Sequence, residues 1–129
     1  MSILEGLIVI EISGHGASAI AAKQFADWGA RVTIVEPPDG TPLRYAPPYY
    51  EGGGKQQSAT WQWLSRGKMA VRLSPAAARE ACARADVILV ESELALPVLG
   101  LKPAEVRAAF DGKTTCVLIA PFATDGPYA

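Results

Sequence analysis

The chain has 129 residues, half of them hydrophobic and 19% charged, which suits one globular domain and excludes disordered, collagenous and coiled-coil classes. Twelve Lys and Arg face thirteen Asp and Glu, a formal net charge of -1, so no global basic field draws nucleic acid or acidic lipid. The opening Met-Ser-Ile-Leu-Glu lacks a positive n-region, and its apolar stretch, Leu7 to Ile10, is far too short to span a bilayer; a soluble, cytoplasmic protein is expected.

In chain order, four apolar runs bounded by turn signals read as strands covered on both faces: Leu7-Ile12, Val32-Glu36, Val87-Glu91 and Cys116-Ala120. Between the first two, Ser18 to Trp28 carries Ile20, Ala21, Phe25 and Trp28 at helical spacing, with Gly29 where a C-terminal cap belongs. The segment 37 to 65 holds Pro37, Pro38, Pro42, Pro47, Pro48 and Gly52-Gly53-Gly54, and reads as one long Pro/Gly-rich loop of the kind that carries function or moves. Met69-Ala-Val-Arg-Leu73 alternates as a half-exposed strand near a sheet edge. Ser74-Pro75 announces a helix through Ala85, and Lys102 to Phe110 a further one, opened by Pro103 and closed by Asp111-Gly112. Alternating strands and helices predict an α/β domain over 1-129, a Rossmann-like, mostly parallel sheet with flanking helices.

Ligands of such sheets bind beyond the carboxyl ends of the strands. There lie Gly14-His15-Gly16, Glu36, Glu91-Ser92 and Thr124-Asp125-Gly126. Gly14-His-Gly16-Ala17-Ser-Ala19 satisfies G-x-G-x-x-A, with Glu36 placed to bind ribose hydroxyls, which suggests a dinucleotide site; a plain strand-to-helix turn explains the glycines equally well. Between Pro37 and Leu73 five basic residues (Arg44, Lys55, Arg66, Lys68, Arg72) outweigh Asp39 and Glu51, a local net +3 against -4 elsewhere. Arg66-Gly-Lys68 could engage phosphate by fork and point charge, or be a solvated basic loop. Trp61, Trp63, Tyr45, Tyr49 and Tyr50 could stack on an adenine ring or anchor the loop.

His15 is the single histidine and no nucleophile elbow accompanies it, so no triad is readable. Glu36, Glu91 and Asp125 give no acid and base pair by spacing; carboxylates at strand ends commonly cap neighbouring helices. Cys82 and Cys116 offer neither a disulfide framework nor metal spacing and read as reduced core residues.

Five segments in order carry a family resemblance: Leu4-Glu-Gly-Leu-Ile-Val-Ile-Glu-Ile12, Phe25 to Pro38 with Asp39-Gly-Thr-Pro-Leu-Arg44, Leu64-Ser-Arg-Gly-Lys68, Ala85-Asp-Val-Ile-Leu-Val-Glu91, and Phe122-Ala-Thr-Asp-Gly-Pro-Tyr128. Together they resemble the N-terminal part of the family III CoA-transferases, the group that includes formyl-CoA transferases, carnitine CoA-transferases and alpha-methylacyl-CoA racemases. The resemblance implies a coenzyme A site using His15, Gly16, Ala17, Arg44 and Lys68, to which the phosphate-binding character of Arg66 adds, with acyl-CoA and a carboxylic acid as substrates. It implies no metal, and a homodimer or complementing chain to complete an interlocked fold. The family's nucleophilic aspartate, which attacks the thioester, lies downstream of the Gly-Pro-Tyr turn, so this chain carries no catalytic residue and is expected to be inactive alone. Departures at Ser65, Ser92 and the shortened stretch 91 to 101 leave three alternatives: a racemase-type relative, a non-catalytic scaffold or oligomerisation module, and an NAD-binding domain.

Overall fold

In the computed structural model the described residues are 1–12, 15–91, 96–110, 113–122 and 127. The first unit runs from β1 (Ile8–Ile12) through α1 (Gly16–Asp27) to β2 (Arg31–Glu36). A 3-10 turn (Pro42–Tyr45), a hairpin of β3 (Tyr49–Gly52) and β4 (Lys55–Ser58), and α2 (Ala59–Ser65) follow. The rest comprises β5 (Met69–Arg72), α3 (Pro75–Ala83), β6 (Val87–Glu91), α4 (Leu96–Leu99), α5 (Pro103–Ala109) and β7 (Thr115–Ile119).

Five strands form one sheet in the order β5-β2-β1-β6-β7, and every pairing within it is parallel. Alternation along β1 explains both layers. Ile10 and Ile12 join Ile88 and Val90 under Ala78 and Cys82 of α3, Leu96 and Leu99 of α4 and Val106 of α5. Val9 faces the other way, with Val32 and Leu89, against Ala22 and its neighbours on α1. Both faces are therefore covered, which is why the strands read as continuous apolar runs. The expected α/β fold with a mostly parallel sheet and flanking helices is the observed one, and Met69–Arg72 is one of its two edge strands.

Local signals account for most helix ends. Gly29 adopts φ +96° just past α1, and its N–H donates to Ala26 O. Ser74 Oγ accepts the Ala77 N–H at 3.2 Å, and Pro75 opens α3. The stretch 37 to 65 departs from the expectation of a plain loop. Gly53 and Gly54, at φ +59° and +75°, turn the β3–β4 hairpin, and Ser58 Oγ accepts the Trp61 N–H at 3.1 Å to start α2. Gly14, Ser92, Asp111-Gly112 and Thr124-Asp125-Gly126 lie outside the described residues.

Candidate functional site

The strand order reverses between β1 and β6, so the crevice that open α/β sheets offer to ligands lies beyond the carboxyl ends of these two strands. His15, Gly16 and Ala17 occupy it. His15 takes the N-cap position of α1 in extended backbone, without a side-chain cap of its own. The cap comes from across the sheet. Glu91, the last residue of β6 and only 6% exposed, accepts the His15 N–H and, at 2.9 Å through Oε1, the Ser18 N–H. Ser18 is completely buried, and its Oγ has no hydrogen-bond partner among the described residues. A Cβ added at Gly16 would meet nothing within 4 Å, so the space beside Gly16 is open.

At the end of β2, Glu36 is buried and fully engaged. Arg44 Nε and Nη2 donate to its two oxygens, each at 2.6 Å, and the Thr41 N–H donates at 3.0 Å. Burial pushes the Glu36 carboxyl up, but the bonds from Arg44 and Thr41 and the charges of Arg44 and Arg72 outweigh it and hold it below the usual range. The hydrogen bond to Glu36 raises the Arg44 guanidinium further, against partial desolvation. Arg44 also lies 4.4 Å from the Trp61 ring centroid, and Trp61 packs against the small cluster of Ala19, Leu43 and Leu64. Gly40, at φ +83°, makes room for this fork, since a Cβ there would come 2.9 Å from Arg44 Cδ. The Arg44 side chain keeps 32% of its surface exposed, against 1% for Glu36.

Lys68 points inward. Its ammonium donates to Glu11 Oε2 at 2.6 Å and to the Ala19 carbonyl at 2.8 Å, and the two side chains are 0% and 1% exposed. Burial lowers its pKa, while the Glu11 charge and hydrogen bond oppose that shift. Beside it, Lys23 pairs with Asp27 at 2.9 Å and lies 5.3 Å from the Trp63 ring centroid. Arg66 caps the end of α2 and is exposed. Gly67 packs toward Ala26, ten residues along α1 from Gly16, which is roughly 15 Å of helix. The structure thus gathers His15, Gly16, Ala17 and Arg44 at the carboxyl edge and sets the Arg66–Lys68 turn against the later turns of α1.

Two residues that order this region were not singled out for these tasks from the sequence. Glu11 carried a signal, a charge inside the apolar run Ile10-Glu11-Ile12, which demands a buried partner. Ser58 preceded Ala59-Thr-Trp as an N-cap would. Trp61 serves the arginine, and Trp63, Tyr45, Tyr49 and Tyr50 are exposed. Among the described residues no cluster of three or more His, Cys, Asp or Glu could hold a metal, and no helix is long and apolar enough to cross a membrane.

An all-parallel sheet whose order reverses at β1 and β6, with helices on both faces, defines a Rossmann-like α/β unit. The family model described as CoA-transferase family III matches residues 4–129, and the chain belongs to that family. The cinnamoyl-CoA:phenyllactate CoA-transferase of Clostridium sporogenes is 32% identical over 96 residues, which cover 68% of this chain and 23% of that protein. The crystal structure of a CAIB/BAIF family protein from Brucella suis superposes with a TM-score of 0.81 at 27% identity, covering 98% of this chain and 35% of the other. Rv3272 from M. tuberculosis gives 0.73 at 25% identity, covering 98% and 37%. The chain therefore spans about a quarter of the curated relative's length and about a third of these solved chains.

Proposed function

We propose that residues 1–129 form the coenzyme A binding region of a CoA-transferase that moves CoA from an acyl-CoA to a carboxylic acid through an enzyme-bound acyl intermediate. The observation that carries this reading is the Arg44 guanidinium. In a chain matching CoA-transferase family III, it is fixed by Glu36 and Trp61 at the carboxyl edge of the sheet with a third of its side-chain surface open to solvent. A planar, always-charged fork held in place suits a nucleotide phosphate, because little rotamer entropy remains to be lost on binding. Arg66, a second exposed cation, belongs to the turn against the later turns of α1, and at the carboxyl edge His15, Gly16 and Ala17 present open surface beside Arg44. Lys68 supports this surface from beneath, its ammonium already engaged by Glu11 and Ala19.

In this reading no residue of the 129 is the nucleophile. The carboxylate that attacks the thioester, forming the mixed anhydride and releasing the CoA thiolate, comes from sequence outside these residues, so the region binds CoA without turning it over. Titration calorimetry of the chain with CoA tests it: wild type binds, and R44A weakens binding at least tenfold. Absence of CoA binding, or equal binding by R44A, overturns the assignment and favours a scaffold role.

A further inference from the structure

We infer that Ser58 is the positioning residue of the Arg44 guanidinium: its buried hydroxyl ties the turn that carries Arg44 to the helix that carries Trp61, and so sets the fork before a ligand arrives. Ser58 ends β4 and is 5% exposed. Its Oγ accepts the Trp61 N–H at 3.1 Å, which is an ordinary helix cap. Capping uses a lone pair only. The proton goes elsewhere, to the Ala46 carbonyl, with the Leu43 carbonyl a second acceptor at 3.3 Å. Leu43 and Ala46 flank Arg44 and Tyr45 at the 3-10 turn, 15 and 12 residues back along the chain.

Arg44 is thus held from three sides. Glu36 on β2 accepts from Nε and Nη2, the Trp61 ring centroid lies 4.4 Å from the guanidinium, and Ser58 fixes the turn relative to that ring because it bonds to the backbone of both. Two neighbouring bonds join the same segments, from the Ala59 N–H to the Pro48 carbonyl at 2.9 Å and from Thr60 Oγ1 to the Pro47 carbonyl at 2.5 Å. They act on the prolines that follow, whereas the Ser58 hydroxyl reaches the turn itself. A fork whose rotamer is set in the free protein loses less entropy on meeting a phosphate, so Ser58 acts on affinity through Arg44 without touching the ligand. The ligand named here rests on the proposed CoA reading; the placement of Arg44 is independent of it.

Exchange of the Arg44 Nε–H, followed in spectra of the 15N-labelled chain without ligand and assigned by its loss in R44A, reads that placement. Wild type protects this proton, since Nε donates to the buried Glu36 carboxylate at 2.6 Å. S58A exchanges it about tenfold faster, S58T, which keeps the hydroxyl, restores protection, and T60A leaves it as in wild type. Glycine is tolerated at an N-cap, so S58G supplies the same reading if S58A does not fold. A wild-type Arg44 Nε–H that exchanges as fast as that of exposed Arg66 overturns the inference without any variant. Wild-type protection in folded S58A or S58G overturns it as well, and so does a loss in T60A equal to that in S58A. Calorimetry with CoA tests the consequence: S58A binds about fivefold more weakly, S58T binds as wild type does, and S58A adds nothing to the loss in R44A. Equal affinity of S58A and wild type, or an additive loss in the double variant, overturns the role of Ser58 in binding. A wild type that does not bind CoA refutes the proposed function, and the Nε–H comparison still decides whether Ser58 places Arg44.

Discussion

The ammonium of Lys68 and the carboxylate of Glu11 meet at 2.6 Å with both side chains closed to solvent, across 57 residues of sequence. Glu11 sits in the central strand, and Lys68 brings the end of the α2–β5 connection under α1, where the Ala19 carbonyl takes a second hydrogen bond. Removing one partner leaves a buried charge without its ion-pair counterpart, which costs about 3–5 kcal/mol. We therefore expect K68M and E11L each to lower the unfolding free energy by that order. The double variant recovers much of the loss, because the desolvation penalty disappears with both charges. Urea unfolding of the four proteins as a double-mutant cycle measures this; additive losses show that the pair is not coupled.

This pair also marks what the sequence could not disclose. The strands were legible because burial on both faces left continuous apolar runs such as Val87-Ile-Leu-Val, and β6 ends at Glu91 as expected. α3 was legible from Ser74-Pro75, a cap with a local cause. The β3–β4 hairpin was missed because Tyr49-Tyr-Glu and Lys55-Gln-Gln show no apolar alternation and are exposed or half-exposed; only the Gly53-Gly54 turn announced it. At the site, the positions of His15, Glu36 and Glu91 at strand ends followed from pattern. Their partners did not, since Glu91 reaches Ser18 across 73 residues and no local spacing encodes such a contact.

The Arg44–Glu36 fork makes stability depend on pH in a definite direction. The folded protein holds the Glu36 carboxyl below its ordinary value of 4.5, so on acidification the unfolded chain takes up the proton first. Stability contributed by the pair is complete above 4.5 and is lost as pH falls through the lower folded value. E36Q removes this dependence and costs about 2 kcal/mol at pH 7 through loss of charge-assisted bonds. Unfolding free energies of wild type and E36Q between pH 3 and 6 should converge toward the acid end. Parallel curves over that range refute the linkage.

Gly40 gives the same fork a steric test. Its φ of +83° costs a side-chain residue roughly 1–2 kcal/mol, and the added Cβ would lie 2.9 Å from Arg44 Cδ and 3.3 Å from a Glu36 oxygen. G40A should lose stability by that amount or more and weaken CoA binding together with it, because the guanidinium must shift to accommodate the methyl. Chemical denaturation and calorimetry on one preparation check both. Unchanged CoA affinity in a destabilised G40A separates Arg44 placement from binding.

The cysteines provide the last expectation. Burial, with a smaller contribution from Cys116, pushes the Cys82 thiol up to about 12, and burial also raises Cys116. Thiolate is the reactive form, and Cys82 is 0% exposed on the core-facing side of α3, so both access and ionisation oppose modification. With Ellman's reagent at pH 8 the native chain should therefore leave Cys82 unmodified and react at the half-buried Cys116 more slowly than a free thiol does. Addition of denaturant should release both thiols at once, because the same unfolding exposes the core between α3 and the sheet. Rapid modification of both in the native chain would mean that this core opens on the timescale of the reaction, and the packing of Cys82 against Ile88 and Val90 would have to be abandoned.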